Sequence, residues 1–389
     1  MLDWLIVGGG VHGTFVSHYL TQIGRVTRDR IRVLDPYPRA LARWDRWTIN
    51  TATDFLRSPD EHHMDIAPEA LVQFAATDVG RAAGRMTEER RPQLGLFRAH
   101  AHVVAERHAL EALRVQGTAT GLARRPRGDG WQVETSTGPV SARQVVLAIG
   151  PDDEPPWPSW ARAHRSRGGA IDHVLEAGFS RAAVGANEHV LVIGGGISAA
   201  QLVLALVARG SGAVTLLTRH PPRVHTLDAD LAWFQRGGSL EFARAIDPRI
   251  RRNLLGLGRR RGSMPKETAY RLGLAIQSGQ VVLRFGEVAR AAMNDGAFRV
   301  ETAEHALTCD RIVLATGFSP RRPGGAWLTR AIASQGLPIA PCGYPITDPL
   351  LAWRPGLHVT GPLAELQLGA AARSINGARR TAEILGNVT

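Results

Sequence analysis

Four apolar runs punctuate the chain, and each stops at a glycine. Residues 4–7 run into Gly8, residues 145–149 into Gly150, residues 190–193 into Gly194, and residues 312–315 into Thr316 and Gly317. Unbroken runs of this length, without polar alternation, predict strands covered on both faces, as in a parallel sheet. The first and third are followed by segments with a helical spacing of apolar positions, 11–23 and 197–208, and then by short strands at 31–34 and 213–217. Strand, glycine turn, helix and strand make a βαβ unit, and the unit occurs twice. Weaker patterns predict a helix at 265–279, strands at 281–285 and 297–302, a last strand at 356–361 and an alanine-rich helix at 369–385. Residues 44–63 show little periodicity and read as a loop. The expected fold class is α/β.

The two turns differ in their chemistry. In the first, Gly8 permits the tight turn, Gly10 lets a pyrophosphate approach the backbone, and Gly13 lets helix and strand pack closely, with Val11 and His12 completing the phosphate-facing stretch. The helix start offers free N–H groups and a positive dipole end to an anion. The next strand ends in Asp35, an acid suited to a ribose with a free 2′-hydroxyl, as in FAD or NAD. In the second turn Gly194 and Gly196 take the first two roles and Ala199 the third, with Ser198 beside it. Its following strand ends in Thr218 and Arg219. A carboxylate would repel a 2′-phosphate, whereas a guanidinium pairs with it, so this turn is assigned to NADPH, with Arg219 as phosphate ligand and Arg223 as helper. Ala148 and Gly150, and later Thr316 and Gly317, mark two further strand ends where the chain can pass close to a cofactor or switch between domains.

Composition narrows the function classes. A chain of 389 residues exceeds one compact core, which predicts two domains. No apolar stretch approaches the roughly eighteen residues of a membrane-spanning helix, and the apolar start reads as a buried strand, not a signal peptide. The only cysteines are Cys309 and Cys342, which excludes a CxxC relay and a thiolate zinc cluster and fits a reducing cytoplasm. No metal site is expected; His62 and His63 lack further ligands at suitable spacing. The formal charge is +12, carried almost wholly by arginine, with Lys266 the single lysine. The arginines are scattered in pairs such as Arg90 and Arg91, so a solvated surface is favoured over nucleic-acid binding.

With both turns in view, the chain resembles the FAD- and NADPH-dependent class B flavoprotein monooxygenases, among them the N-hydroxylating ornithine and lysine enzymes and the flavin-containing monooxygenase-like group. The resemblance rests on the turn at residues 8–13, the Gly-Gly-Gly-x-Ser-Ala turn at 194–199 and the Ala-Thr-Gly turn at 315–317, whose order and spacing agree along nearly the whole chain. It implies two Rossmann-like dinucleotide-binding domains. An NADPH domain of residues 161–317, with a small insert around 225–280, would interrupt an FAD domain of residues 1–160 and 318–389. Gly361 would lie near the ribityl chain, although the next residue is Pro362 where many relatives carry an acid. The implied chemistry is hydride transfer from NADPH to FAD, reaction with O2 to a C4a-hydroperoxide, and oxygenation of a small nucleophilic substrate at an amine nitrogen or a sulfur.

The resemblance also places residues 44–63 at the reactive edge of the flavin. Arg57 would hold negative charge there, Ser58 or Thr51 would bond the ring edge, and His62 or His63 would take a proton from a substrate amine. The plainer alternatives are that Arg57 pairs with Asp54 or Asp60 and that the histidines fill a domain junction. At the level of the whole protein two other readings stand. One is an NADPH-dependent flavin reductase or electron-transfer protein without oxygen insertion, the other a flavin-bound sensor or nucleic-acid-associated module.

Overall fold

Trp4 and Ile6 face one layer of the molecule while Leu5 and Val7 face another, and all four are buried. This two-sided burial is why the run carries no polar alternation. The structure, a computed structural model, describes residues 1–388 apart from 127, 153, 236–238 and 295. Strand Leu2–Val7 lies between Ile31–Asp35 and Val140–Leu147 and is parallel to both. Arg114–Gln116 extends the sheet beyond Ile31–Asp35, and Leu357–Val359 followed by Ala352–Arg354 extends it beyond Val140–Leu147. Strands Ala119–Arg124 and Trp131–Thr135 complete this eight-stranded sheet as an antiparallel branch. Helices Val11–Gln22 and Ile375–Gly386 cover one face.

A second sheet holds five parallel strands in the order Val281–Phe285, Val214–Thr218, Val190–Ile193, Arg311–Leu314 and Ile171–His173. In both sheets the strand that enters the glycine turn has its sequence successor on one side and a much later strand on the other. That reversal of strand order opens a crevice at the strands' carboxyl ends, where open α/β sheets bind ligands.

Between the two sheets runs a second connection. Trp233, Phe242 and Leu255, from the stretch after Arg223–Val224, pack with Ala340, Tyr344, Leu366 and Ala370 of the first sheet's C-terminal segment. Gly369 is required there: an added Cβ would lie 2.6 Å from the Trp233 ring. The insert is thus clamped to the opposite body.

Two sequence expectations need correction. Within the expected loop, Ala42–Asn50 is a helix. Nine residues are marginal alone, and tertiary partners hold it: Trp47 Nε1 donates to Leu175 O at 3.0 Å, Asn50 Nδ2 to Phe179 O at 2.9 Å, and the Trp44 ring packs on Phe97. The alanine-rich helix begins at Ile375, not at 369, because Ser374 caps it by accepting from Gly377 N. Residues Ala370–Arg373 form a separate 3-10 turn.

Candidate active site

A cleft of about 740 Å³ opens between the two bodies. Its wall includes Gly8, Gly10, Val11, His12 and Asp35 from the first turn, Ser198 and Gln201 from the second, and Arg57 and Ser58 from the segment between. The glycines of the first turn have separable roles. A Cβ on Gly8 would lie 2.3 Å from Ala148 O, and one on Gly13 would lie 1.7 Å from Gly8 O. Those two are demanded by packing. A Cβ on Gly10 would meet nothing within 4 Å, and Gly10 caps helix Val11–Gln22 without a side-chain cap. An uncapped helix start facing open space fits a pyrophosphate.

Asp35 is buried beside this opening. It accepts from Gly9 N, from Tyr37 N at 2.9 Å and from Arg114 Nη2 at 3.2 Å. A carboxylate has about four acceptor positions, so one is left for a ribose hydroxyl. Arg114 carries no local sequence signal for this role. It comes from the end of the sheet and also bonds Tyr37 O at 2.7 Å, so it holds the acid in place without facing the ligand. Ala148, Ile149 and Gly150 line the cleft, whereas Thr316 and Gly317 do not. Instead Ala315 O abuts Gly194, and Thr316 Oγ1 bonds His173 Nε2 at 3.2 Å. Gly361, at φ +63°, lies beside the His12 ring, whose Nδ1 bonds Thr360 Oγ1 at 2.8 Å.

The second turn repeats the packing logic with a narrower mouth. A Cβ on Gly194 would meet Ala315 O at 2.4 Å, while one on Gly196 would reach only Gly262 Cα, at 3.5 Å. Helix Ile197–Ala208 likewise starts uncapped, and Ala199 is fully buried behind the turn. Arg219 sits on the surface 3.2 Å from Glu287, both side chains more than 70% exposed. Such an exposed pair contributes little to stability. Arg223 and Arg261 are also exposed, and the Arg223 strand pairs with Ser263–Met264 just after Arg261.

The loop candidates divide. Ser58 lines the cleft, as does Thr51, whose hydroxyl donates to Trp47 O at 2.8 Å. Arg57 also lines it, but its guanidinium is engaged elsewhere. It donates to the carbonyls of His225, Thr226, Leu227 and Ser263 and to Ser263 Oγ, at 2.5–3.3 Å. The expected anion-holding role gives way to that of a clamp between the loop and the insert. Neither aspartate is its partner: Asp54 pairs with Arg271 at 3.0 Å and Asp60 with Arg90 at 2.6 Å.

The expectation for His62 and His63 is corrected as well, because neither lines the cleft. His63 is fully buried, with Nε2 2.9 Å from Pro68 O and Nδ1 accepting from Asp65 N at 3.1 Å, so both ring nitrogens are occupied. His62 is buried near Asn376. Burial, with Arg379 nearby, pushes its pKa down to about 4. Adjacent His18 and His100 are also pushed down to about 4, chiefly by burial and then by a neighbouring imidazole.

A pH dependence follows. The unfolded chain binds a proton at each of these three groups below the ordinary value of 6.5, and the folded protein does so only near 4. The stabilising contribution of these groups is therefore full above pH 6.5 and is lost as pH falls towards 4, each by at most about 1.4 kcal/mol per pH unit. Denaturant titrations from pH 7.5 to 4.5 should show this decline, and His100→Gln should reduce the slope by about one proton. Stability independent of pH across that window would contradict the buried neutral histidines.

No protein-family model matches the chain, and neither does any curated protein. Solved structures do. An ornithine N-hydroxylase from Kutzneria sp. 744, in a complex with reduced FAD, NADP+ and L-ornithine, superimposes with a TM-score of 0.76 at 15% identity, covering 100% of this chain and 99% of that one. The chain shares that fold. The FAD-bound cadaverine monooxygenase of desferrioxamine biosynthesis from Erwinia amylovora gives 0.74 at 14% identity, covering 99% and 93%. A bacillithiol disulfide reductase from Bacillus cereus gives 0.62 at 18%, covering 100% and 98%. The two-sheet flavoprotein architecture is thus common to oxygenating and reducing enzymes, and the function has to be argued from this chain's own residues.

Among the described residues, no helix is long and apolar enough to cross a membrane. Cys309 is buried, with its thiol pushed up to about 12 by burial, and Cys342 is exposed and free. Several cleft residues carry no local sequence signal of their role. Arg43 lies over the Trp47 ring at 4.5 Å and bonds Ile149 O, and Arg373 reaches the cleft from just before the last helix.

Proposed function

We propose that the chain is an FAD- and NADPH-dependent monooxygenase acting on a small nucleophilic substrate, with a primary amine as the favoured class. The carrying observation is the open glycine turn with its acid Asp35 and the uncapped start of helix Ile197–Ala208, at Ile197 and Ser198, on one cleft. The similarity to ornithine and cadaverine hydroxylases supports the oxygenase over the reductase reading, and the lack of a paired dithiol removes only a disulfide-reducing version of the latter. FAD would supply two-electron chemistry towards O2 after reduction by NADPH.

The protein's part is to bind, orient and exclude water. Gly10 and the start of helix Val11–Gln22 would hold the FAD pyrophosphate, and Asp35 its adenosine ribose. Gly196, Ser198 and the start of helix Ile197–Ala208 would hold NADPH, with Arg219 exchanging Glu287 for the 2′-phosphate. Trp44, Trp47 and Phe318 give the cleft an aromatic wall that limits water, Phe318 standing edge-on to Trp47 at 4.8 Å.

The test is to supply purified protein with FAD, NADPH, O2 and a panel of small primary amines, and to look for a product heavier by one oxygen atom by mass spectrometry. NADPH should be preferred to NADH by about tenfold or more, the worth of a charged hydrogen-bonded contact. Arg219→Ala should raise the KM for NADPH and leave NADH use nearly unchanged. Equal losses with both nucleotides would show that Arg219 is structural. NADPH oxidation without any oxygenated product, together with electron transfer to a quinone, would replace the oxygenase reading with the reductase one.

A further inference from the structure

Glu365 is fully buried, and its carboxylate receives three guanidinium groups. Arg252 donates to Oε1, Arg259 to Oε2 at 2.6 Å, and Arg373 Nε to Oε2 at 2.8 Å. Burial alone would raise the pKa of Glu365, but Arg373, Arg259 and Arg252 overcome it and hold the group below the ordinary carboxylate value. Tyr344 is buried in the same cluster. Its ring carries Arg252 at 4.0 Å, and its hydroxyl meets Arg373 Nη2 at 3.2 Å while bonding the carbonyls of Pro320 and Arg321. Two of the three cations come from the insert that crosses from the second body, and the third stands just before the last helix.

The charges do not balance. Three guanidiniums face one buried carboxylate. Even with Asp228 acting on Arg259 positive charge stays in excess, and the geometry gives that excess a direction. Arg373 is the member that lines the cleft. Its Nε and Nη2 are fixed by Glu365 and Tyr344, and its Nη1 has no partner among the described residues. The next residue, Ser374, caps helix Ile375–Gly386, whose positive dipole end meets the same wall. A half-buried cation held by two anchors, beside a helix start, is arranged to receive negative charge from something bound in the cleft.

We propose that Arg373 is the cation that meets the flavin ring when FAD is bound, favouring the reduced cofactor, and that Glu365 and Tyr344 are its positioning residues. The proposal rests on the FAD reading given above. The ring is favoured over the pyrophosphate because the open seat at Gly10 already has an uncapped helix start. Arg373, by contrast, shares its wall with Pro362 and Ile375, whose apolar surfaces suit a planar ring better than a hydrated phosphate. Reduction adds negative charge to the ring, and a fixed cation in a low-dielectric cleft binds that state more tightly than the oxidised one.

The measurement is the midpoint potential of bound FAD, determined by equilibration with a reference dye in the FAD-loaded protein. Arg373→Gln should lower the ratio of reduced to oxidised FAD affinity about tenfold, which for a two-electron couple is about 30 mV towards negative potential. Arg373→Lys should recover most of the shift, since it keeps the charge. Tyr344→Phe leaves the Glu365 contacts intact and removes one anchor, so it tests positioning without stranding a buried carboxylate; a shift of the same sign, about two- to threefold, is expected. A pyrophosphate contact would weaken both redox states alike, so Arg373→Gln with an unchanged potential overturns the proposal even if its FAD affinity falls. Wild-type protein that holds no FAD would instead overturn the reading on which the proposal rests.

Discussion

Gly10→Val should give a folded, colourless protein that no longer retains FAD. At φ −75° the backbone of Gly10 is open to any residue, and its Cβ would meet no atom of the protein within 4 Å. The added isopropyl group therefore occupies only the space offered to the pyrophosphate, and denies the phosphate oxygens access to the free N–H groups at the helix start. FAD affinity should fall by at least about a hundredfold, the loss of several charge-assisted hydrogen bonds. The thermal midpoint of the apoprotein should stay close to that of wild-type apoprotein. Gly13→Ala is the contrasting control. Its Cβ would lie 1.7 Å from Gly8 O, so helix and strand would be forced apart and folding itself should suffer. Normal flavin content in Gly10→Val would remove the first turn from the cofactor site.

The second large effect is expected at Arg57. Arg57→Met keeps an apolar stem of similar length and removes every donor to residues 225–227 and 263. Five acceptors lose their partner at once. With part of that cost recovered by water, the loss of folding stability should be about 2–4 kcal/mol. Because the clamp joins the loop to the insert, limited proteolysis should cut first between residues 225 and 262. A cofactor-contacting arginine would behave differently, changing flavin properties at little cost in stability. If Arg57→Met is as stable as wild type while its flavin spectrum shifts, the clamp assignment is wrong.

The elements most legible in the sequence were those whose cause is local. The strands entering Gly8 and Gly194 announce themselves as short apolar runs, and the Gly-x-Gly-x-x-Gly spacing at 8, 10 and 13 is a local pattern, with Gly13 demanded by Gly8 O five residues away. Asp35 comes to the first turn because it ends the strand that follows the helix, whereas Arg219 lies one residue past its strand, on the surface. Helix Ala42–Asn50 was missed for the opposite reason. Its stability comes from Trp47 bonding Leu175 O and Asn50 bonding Phe179 O, more than a hundred residues away, and no local period records such partners.

The same division runs through the site. Residues 44–63 are expected at the active site from the family resemblance, yet only part of the segment faces the cleft. Whether an arginine or a histidine meets ligand or protein depends on which carbonyls the rest of the chain brings to it. Arg57 found four carbonyls of distant residues, and His63 found Pro68 O and Asp65 N. Arg373 had no signal in the sequence, because Glu365, Tyr344, Arg252 and Arg259 converge only when the insert docks on the C-terminal segment. By itself the sequence determined two dinucleotide-type turns, their acidic and basic endings and an α/β chain. Turn conformation and strand burial are set by neighbouring residues, which is why these could be read. Only the tertiary structure decided which charged side chains face the cleft. A buried charge needs partners, and here they come from chain segments more than a hundred residues apart.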